Sequence, residues 1–146
     1  MPDTANPGKL PLLKWWARAT VSVAVALLPR QVSVGVRRAV LHNALRGLHD
    51  VLEQTPLAGR YWLDGGLLLG WAREGDALAN DTDDVDFGFL AADYPKLASA
   101  VPALERAGFS LLQVLRDNNG EVVVLNFKKH GVQFDFVKAL PERDKM

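Results

Sequence analysis

The chain has 146 residues, 49% of them hydrophobic, with 17 basic and 17 acidic side chains and no cysteine. This length favours a single domain, and the apolar fraction is too high for a disordered chain. The lack of cysteine excludes disulfide scaffolds, cysteine-ligated zinc sites and thiol nucleophiles, and the net charge of zero argues against a general nucleic-acid binder.

A basic and apolar segment is predicted over residues 1–35. Its apolar stretch Ala19–Leu28 is too short to span a bilayer, which needs about 20 residues. The sequence that follows, Pro29–Gln31, lacks the small residues of a signal-peptidase site, which disfavours a secretory signal. The segment is expected to pack on the core as a helix, or to contact an anionic membrane peripherally with Trp15 and Trp16 at the interface, although alternating valines also allow a strand.

An amphipathic helix is predicted from Val36 to Gln54, because apolar residues recur there at three- and four-residue spacing. Thr55-Pro56 is expected to end it. His42 and His49 border its polar side and are interpreted as surface residues, since no third metal ligand stands near them. The apolar stripe consists of Val40, Leu41, Ala44, Leu45, Leu48, Val51 and Leu52.

From residue 60 the pattern becomes that of a small α/β (α+β) domain, in which helices flank a mixed sheet. A strand is predicted at Arg60–Leu63, a short helix at Leu67–Arg73, a strand at Asp84–Phe89, a helix from an Asp93 cap to Arg106, and strands at Phe109–Leu115, Val122–Phe127 and Val132–Val137.

Gly65 and Gly66 stand between the first of these strands and the short helix. Glycine permits positive φ and close backbone approach, and the free N–H groups at a helix N-terminus suit a phosphate. Taken alone, two glycines at such a junction are more typical of a turn.

Asp84 and Asp86 are expected on one face of their strand, because successive side chains alternate between faces. Two neighbouring carboxylates repel each other, which favours a divalent cation between them, although a solvated strand face gives the same alternation. Asp81 and Asp83 are either outer groups of this site or loop residues. On a later strand, Asp135 offers a third oxygen ligand, or the base that accepts a proton from an attacking hydroxyl.

These motifs together resemble the LicD/fukutin family, which belongs to the nucleotidyltransferase-fold superfamily of DNA polymerase β. The resemblance covers residues 37–138, and its most specific part lies within Tyr61–Gly88. The chain departs from the family pattern at Leu67, where threonine is usual, and at the loop Ala79–Thr82. The matching residues are Gly65 or Gly66, Leu68-Leu69-Gly70, Arg73, Asp84, Asp86 and Asp135.

The resemblance implies metal-dependent transfer of a phospho-alcohol, such as phosphocholine or ribitol phosphate. The donor would be CDP-activated and the acceptor a hydroxyl of a glycan or lipid-linked sugar, as in the modification of cell-surface polysaccharides. Asp84, Asp86 and Asp135 would be the catalytic residues and the ligands of Mg²⁺ or Mn²⁺. Gly65, Gly66 and Arg73 would bind phosphate, although Arg73 could instead pair with Glu74 or Asp76.

Two alternatives to this function remain open. A small-molecule nucleotidyltransferase of the antibiotic-modifying type shares the Trp-Leu-Asp-Gly-Gly and Asp-x-Asp motifs. The predicted core, residues 36–146, ends sooner after Asp135 than is usual for this family. A non-catalytic remnant that binds metal or nucleotide would explain this, as would a fragment or a minimal catalytic core.

The charges are distributed unevenly along the chain. Residues 1–49 contain one acid and seven bases, whereas residues 50–146 contain sixteen acids and ten bases. This asymmetry favours a cation site in the acidic part and an anionic surface contact for the basic part, although two differently charged solvated faces would also explain it. A cytoplasmic location, or one peripheral to the inner membrane face, is expected.

Overall fold

A computed structural model of the protein describes residues 30–139. The apolar segment predicted within residues 1–29, with its interfacial tryptophans, lies outside the described residues. The chain divides into two compact units, Met1–Val36 and Arg37–Met146. In the first unit the described residues, from Arg30 on, are helical.

Three helices and five strands follow one another along the described residues, in the predicted order. They are α1 (Arg30–Leu52), β1 (Tyr61–Asp64), α2 (Gly65–Glu74), β2 (Asp84–Leu90), α3 (Tyr94–Arg106), β3 (Ser110–Arg116), β4 (Val122–Lys129) and β5 (Val132–Ala139). Helix α1 begins at Arg30, earlier than the predicted Val36. The prediction missed its first turns because the residues before Val36 lack the regular apolar spacing on which it relied. Across residues 30–139, no helix is long and apolar enough to cross a membrane.

The strands form one five-stranded sheet in the order β1-β2-β5-β4-β3. Strands β2 and β5 are parallel, and every other neighbouring pair is antiparallel. The predicted mixed sheet with flanking helices is therefore confirmed. Because a parallel pair needs a crossover, α3, β3 and β4 separate β2 from β5 in the chain and bring two distant segments side by side.

One face of the sheet is buried against helices, and the other is the open face. Val85, Phe87 and Phe89 of β2 point into the core, and the Phe87 ring stacks on Phe136 of β5 with centroids 5.0 Å apart. Alternation along the strand therefore places Asp84 and Asp86 on the open face. The helices contribute to the core through fully buried residues Leu41, Ala44, Leu48 and Leu52 of α1 and Leu97, Ala100 and Leu104 of α3.

Asp93 is the N-cap residue of α3, as predicted, but its side chain makes no capping hydrogen bond. Its carboxylate is buried and accepts hydrogen bonds from Lys96 Nζ at 2.5 Å and from Arg60 Nη1 at 3.2 Å. The hydrogen bond from Lys96, with the charges of Lys96 and Arg60, lowers the pKa of Asp93 although burial opposes this. Two cationic donors therefore replace the backbone N–H groups that a capping side chain would bind.

Asp93 is expected to make the protein sensitive to acid. Because its pKa is lowered in the folded state, its stabilisation is complete above the unfolded-state pKa of about 3.9 and is lost as the pH falls through the folded-state value. The Asp93→Asn variant should be less stable at neutral pH and lose less stability on acidification. Urea unfolding at a series of pH values checks this, with exposed Asp50→Asn as the control; equal acid sensitivity in wild type and Asp93→Asn would refute it.

Gly70 allows α2 to pack closely on the loop that follows it. A Cβ atom at Gly70 would lie 2.7 Å from the Asp76 backbone oxygen and 2.9 Å from the Leu78 nitrogen. Since backbone atoms cannot swing aside, Gly70→Ala should lower the free energy of unfolding by about 1–3 kcal/mol. In Gly47→Ala of α1 the nearest atom is Lys129 Nζ at 3.7 Å, which is ordinary van der Waals contact, so helix propensity should instead add about 0.5–1 kcal/mol. Urea unfolding measures both, and an equally stable Gly70→Ala would contradict this packing.

Candidate metal and phosphate site

A continuous polar row crosses four strands on the open face of the sheet. Asp64 of β1 pairs in register with Asp86 of β2, Asp86 with Asp135 of β5, and Asp135 with Asn126 of β4. Residues paired in this way point to the same face. Asp84 joins them from two positions earlier on β2, opposite Gln133. The register of the sheet thus assembles side chains that are far apart in the sequence.

Asp84, Asp86 and Asp135 form a cluster in which one carboxylate oxygen from each lies within 4.8 Å of the others. Asp84 is exposed, and Asp86 and Asp135 are half-buried. No other group of three potential metal-binding side chains of this kind occurs within residues 30–139. All three sequence-predicted acids therefore come together in one place.

The three acids destabilise one another's charged forms. Partial burial raises the pKa of each above the usual aspartate value, and neighbouring carboxylates add to the rise. The charge of Asp86 raises the pKa of Asp84, and the charge of Asp84 raises the pKa of Asp135. The charges of Asp135 and Asp64 raise the pKa of Asp86. A bound cation would reverse this electrostatic balance by favouring the charged carboxylates.

This donor set fits a hard divalent cation. Mg²⁺ prefers carboxylate oxygens and is commonly bound through a few of them, with water and substrate phosphates completing its shell. The three clustered carboxylates supply such ligands. The residues present are therefore compatible with Mg²⁺ or Mn²⁺.

Two amide side chains hold Asp135. Asn126 Nδ2 donates a hydrogen bond to Asp135 Oδ1, and Gln133 Nε2 lies 3.3 Å from both oxygens of the same carboxylate. Burial raises the pKa of Asp135, and the hydrogen bond from Gln133 offsets only part of that rise. Sequence reasoning did not assign a role to either amide. Alternation alone places Gln133 beside Asp135, whereas Asn126 becomes its neighbour only through the register of β4 with β5.

Gly65 and Gly66 begin α2 at the edge of this cluster. Gly65 has a φ of +60°, and a Cβ atom there would lie 2.2 Å from Asp86 Oδ2. A Cβ atom at Gly66 would lie 1.6 Å from Asp81 Oδ2. The two glycines thus make room for carboxylates, which the sequence pattern did not reveal. The sequence allowed Asp81 to be either an outer group of the site or a loop residue. In the structure its carboxylate lies next to the glycine turn.

The N–H groups at the start of α2 are the predicted phosphate cradle. Asp64 caps the helix, and its Oδ1 accepts the Gly65 N–H at 2.8 Å. The N–H groups of Gly66 and Leu67 belong to the first turn, where backbone donors have no acceptor within the helix. The Gly65 donor is therefore already engaged, and the next two residues carry the donors that remain for an anion.

Arg73 lies near the end of α2 and is exposed. Arg73 makes no ion pair with any residue between 30 and 139. Its two predicted surface partners contact residues of α1 instead. Glu74 Oε2 lies 3.5 Å from Arg38 Nη2, and Asp76 Oδ1 lies 2.8 Å from His42 Nε2. Within the described structure, the surface pair considered for Arg73 is thus not formed. The structure does not bring Arg73 into the acidic cluster, and its phosphate role stays a prediction.

Both helix histidines are exposed and bind neighbouring side chains. His42 contacts Asp76, and His49 Nδ1 lies 2.7 Å from the Tyr61 hydroxyl. Neither belongs to the acidic cluster. These contacts agree with their interpretation as surface residues.

Comparison with known protein families matches residues 59–146 to the family model described as LicD/FKTN/FKRP, nucleotidyltransferase domain. The match includes β1, the glycine turn and all three clustered acids. Among curated proteins, an uncharacterized protein of Rickettsia prowazekii (strain Madrid E) is 27% identical over 77 residues. That alignment covers 53% of this chain and 28% of the relative, so the chain matches only about a quarter of that protein's length.

Proposed function

Because this chain belongs to the LicD/FKTN/FKRP nucleotidyltransferase-domain family, we propose that it transfers a phospho-alcohol from a CDP-activated donor to a hydroxyl of a glycan or lipid-linked sugar. The family as such indicates a transferase of the phosphotransferase type that acts on glycans. The observation that carries the proposal is the convergence of Asp84, Asp86 and Asp135 within 4.8 Å beside the N-terminus of α2. That arrangement combines cation ligands with donors for a phosphate.

In this proposal the three acids are the ligands of Mg²⁺ or Mn²⁺. The bound cation would neutralise charge on the transferred phosphoryl group and on the departing nucleotide. The three acids would also fix the position of the transferred phosphoryl group, since the paired strands β2 and β5 hold their carboxylates in place. Positioning of this kind supplies a large part of the catalysis in phosphoryl transfer.

The N-terminus of α2 supports the proposal from the side of the donor. The first-turn N–H groups of Gly66 and Leu67 suit the diphosphate oxygens, and the helix dipole favours negative charge at this end. Arg73 is proposed as a further cationic partner of the donor phosphates on the resemblance of its helix to the family motif. Its guanidinium is exposed and is not paired with any residue that the structure describes, but it lies in the last turn of α2, away from these N–H groups.

The proposed reaction balances without a further reactant. The acceptor oxygen bonds to the phosphorus that carries the alcohol, and the bond from that phosphorus to the bridging oxygen breaks. CMP leaves with the bonding electrons, and the acceptor hydroxyl loses its proton to solvent or to a carboxylate of the site. The products are CMP and a phosphodiester between the alcohol and the sugar.

Release of CMP tests the proposal. The protein is incubated with CDP-choline or CDP-ribitol and methyl glycosides as acceptors, in Mg²⁺ and in excess EDTA. The proposal predicts CMP only in Mg²⁺. Failure to release CMP, together with thermal stabilisation by Mg²⁺ and a cytidine nucleotide, would overturn it in favour of a nucleotide-binding remnant.

A further inference from the structure

Asn126 is a buried amide of β4 whose side chain belongs to the polar row on the open face of the sheet. It lies between Leu125 and Phe127 of the core, and only 8% of its surface is exposed. Its Nδ2 donates to Asp135 Oδ1, whereas its Oδ1 is buried and has no hydrogen-bond partner among the described residues. The side chain thus satisfies one half of its hydrogen-bonding capacity, and that half is used on Asp135.

The contribution of Asn126 to folding does not explain its presence. A buried polar atom without a partner lowers the stability of the folded state, and an apolar side chain of similar size would avoid that loss. The interaction that Asn126 does make is with a half-buried carboxylate, which water can also reach. Stability alone would therefore favour leucine at this position.

Asp135 differs from the other two clustered acids in having side-chain donors. Asn126 and Gln133 contact it from the neighbouring strand and from its own strand. Within residues 30–139, no side-chain donor binds the carboxylate of Asp84 or Asp86. The carboxylate of Asp135 is thus the one whose rotation the surrounding amides restrict.

We propose that Asn126, with Gln133, is a positioning residue that fixes the Asp135 carboxylate for a divalent cation shared with Asp84 and Asp86. This inference rests on the proposed metal site. Amide donors around a carboxylate ligand orient it and reduce the reorganisation needed when a cation binds, and loss of such partners typically weakens metal affinity by about 10–100-fold. The unsatisfied Asn126 oxygen is the cost in stability of placing that donor inside the sheet.

The Asn126→Leu variant tests this role by the affinity for Mn²⁺, measured by electron paramagnetic resonance. The Kd for Mn²⁺ should rise about tenfold or more, while the metal-free variant should be as stable as wild type or more stable. A purely structural role predicts lower stability and an unchanged Kd in the folded variant. Gln113→Leu is the matched control, because Gln113 pairs with Asn126 in register but is exposed and has no hydrogen bond to Asp135.

A second variant decides the case if Asn126→Leu does not fold. Gln133→Leu removes the other amide at a half-buried position and should also raise the Kd for Mn²⁺; an unchanged Kd would refute the positioning role.

The Asp86→Asn variant separates this inference from the proposed function. If wild type binds Mn²⁺ and Asp86→Asn does not, an unchanged Kd in folded Asn126→Leu overturns the inference alone. If wild type binds no Mn²⁺, the proposed metal site fails and the inference fails with it.

Discussion

Replacing Asp86 with asparagine should lower CMP release by at least about 100-fold, equivalent to about 2.7 kcal/mol of transition-state stabilisation, while the protein remains folded. Asp86 lies in the middle of the cluster, paired in register with Asp64 on one side and Asp135 on the other. An amide of the same size removes one cation ligand without leaving a cavity. Steady-state CMP release, with circular dichroism to check folding, measures the effect.

The same substitution should stabilise the metal-free protein at neutral pH. Burial and the charges of Asp135, Asp64 and Asp81 raise the pKa of Asp86, so its ionised form is disfavoured in the folded state. For a carboxyl group whose pKa is raised on folding, stability is complete below the unfolded-state pKa and declines as the pH rises through the folded-state value. The advantage of Asp86→Asn should therefore be present at pH 7 and disappear in acid.

Asp83→Asn is the matched control for both effects. Asp83 is an exposed acid beside the cluster, but it contributes no oxygen to it. Its replacement should leave CMP release within a few fold of wild type. Full activity in Asp86→Asn, or an equal loss in the two variants, would show that the acidic cluster is wrongly assigned.

Replacing Gly65 with alanine should lower CMP release by about 10–100-fold, because it disturbs the same cluster from the side of the helix. A Cβ atom at Gly65 would lie 2.2 Å from Asp86 Oδ2 and force that carboxylate to move. Displacement of a catalytic group by about 1 Å can cost about 100-fold in rate. The positive φ of +60° adds strain of about 1–2 kcal/mol for any residue with a side chain.

Gly75→Ala separates strain from displacement of the carboxylate. Gly75 ends α2 with a φ of +70°, and no atom lies within 4 Å of the position that its Cβ would occupy. Both alanine variants should therefore lose similar stability in urea, but only Gly65→Ala should lose activity. Equal activities in the two variants would contradict a role for the Gly65 turn in holding Asp86.

Periodicity in the sequence was sufficient to predict the elements and the face of each acid. The alternation of Asp84, Val85 and Asp86 predicted which side chains enter the core, and the structure confirms that Val85 is buried. The apolar spacing in α1 predicted the residues that pack on the sheet. These predictions succeed because they depend on local geometry and on the removal of apolar surface from water.

Contacts between distant strands could not be predicted in the same way. The meeting of Asp86 and Asp135 depends on the parallel pairing of β2 with β5, and the contact of Asn126 with Asp135 depends on the β4 register. A shift of one residue would turn Asn126 to the other face. The side chain of Asp93 makes no capping hydrogen bond, since its carboxylate binds Lys96 three residues further on and Arg60 from a distant segment.

³¹P nuclear magnetic resonance of the reaction products identifies which phosphorus of the donor is transferred to the acceptor. Wild-type protein with Mg²⁺, CDP-ribitol or CDP-choline and methyl glycosides should give CMP and a new phosphodiester that carries the alcohol, and Asp86→Asn should leave the donor intact. Attachment of the cytidylyl group to the acceptor, with release of the phospho-alcohol, would instead show nucleotidyl transfer and contradict the account. An unchanged donor with folded, Mg²⁺-bound wild-type protein would contradict it as well.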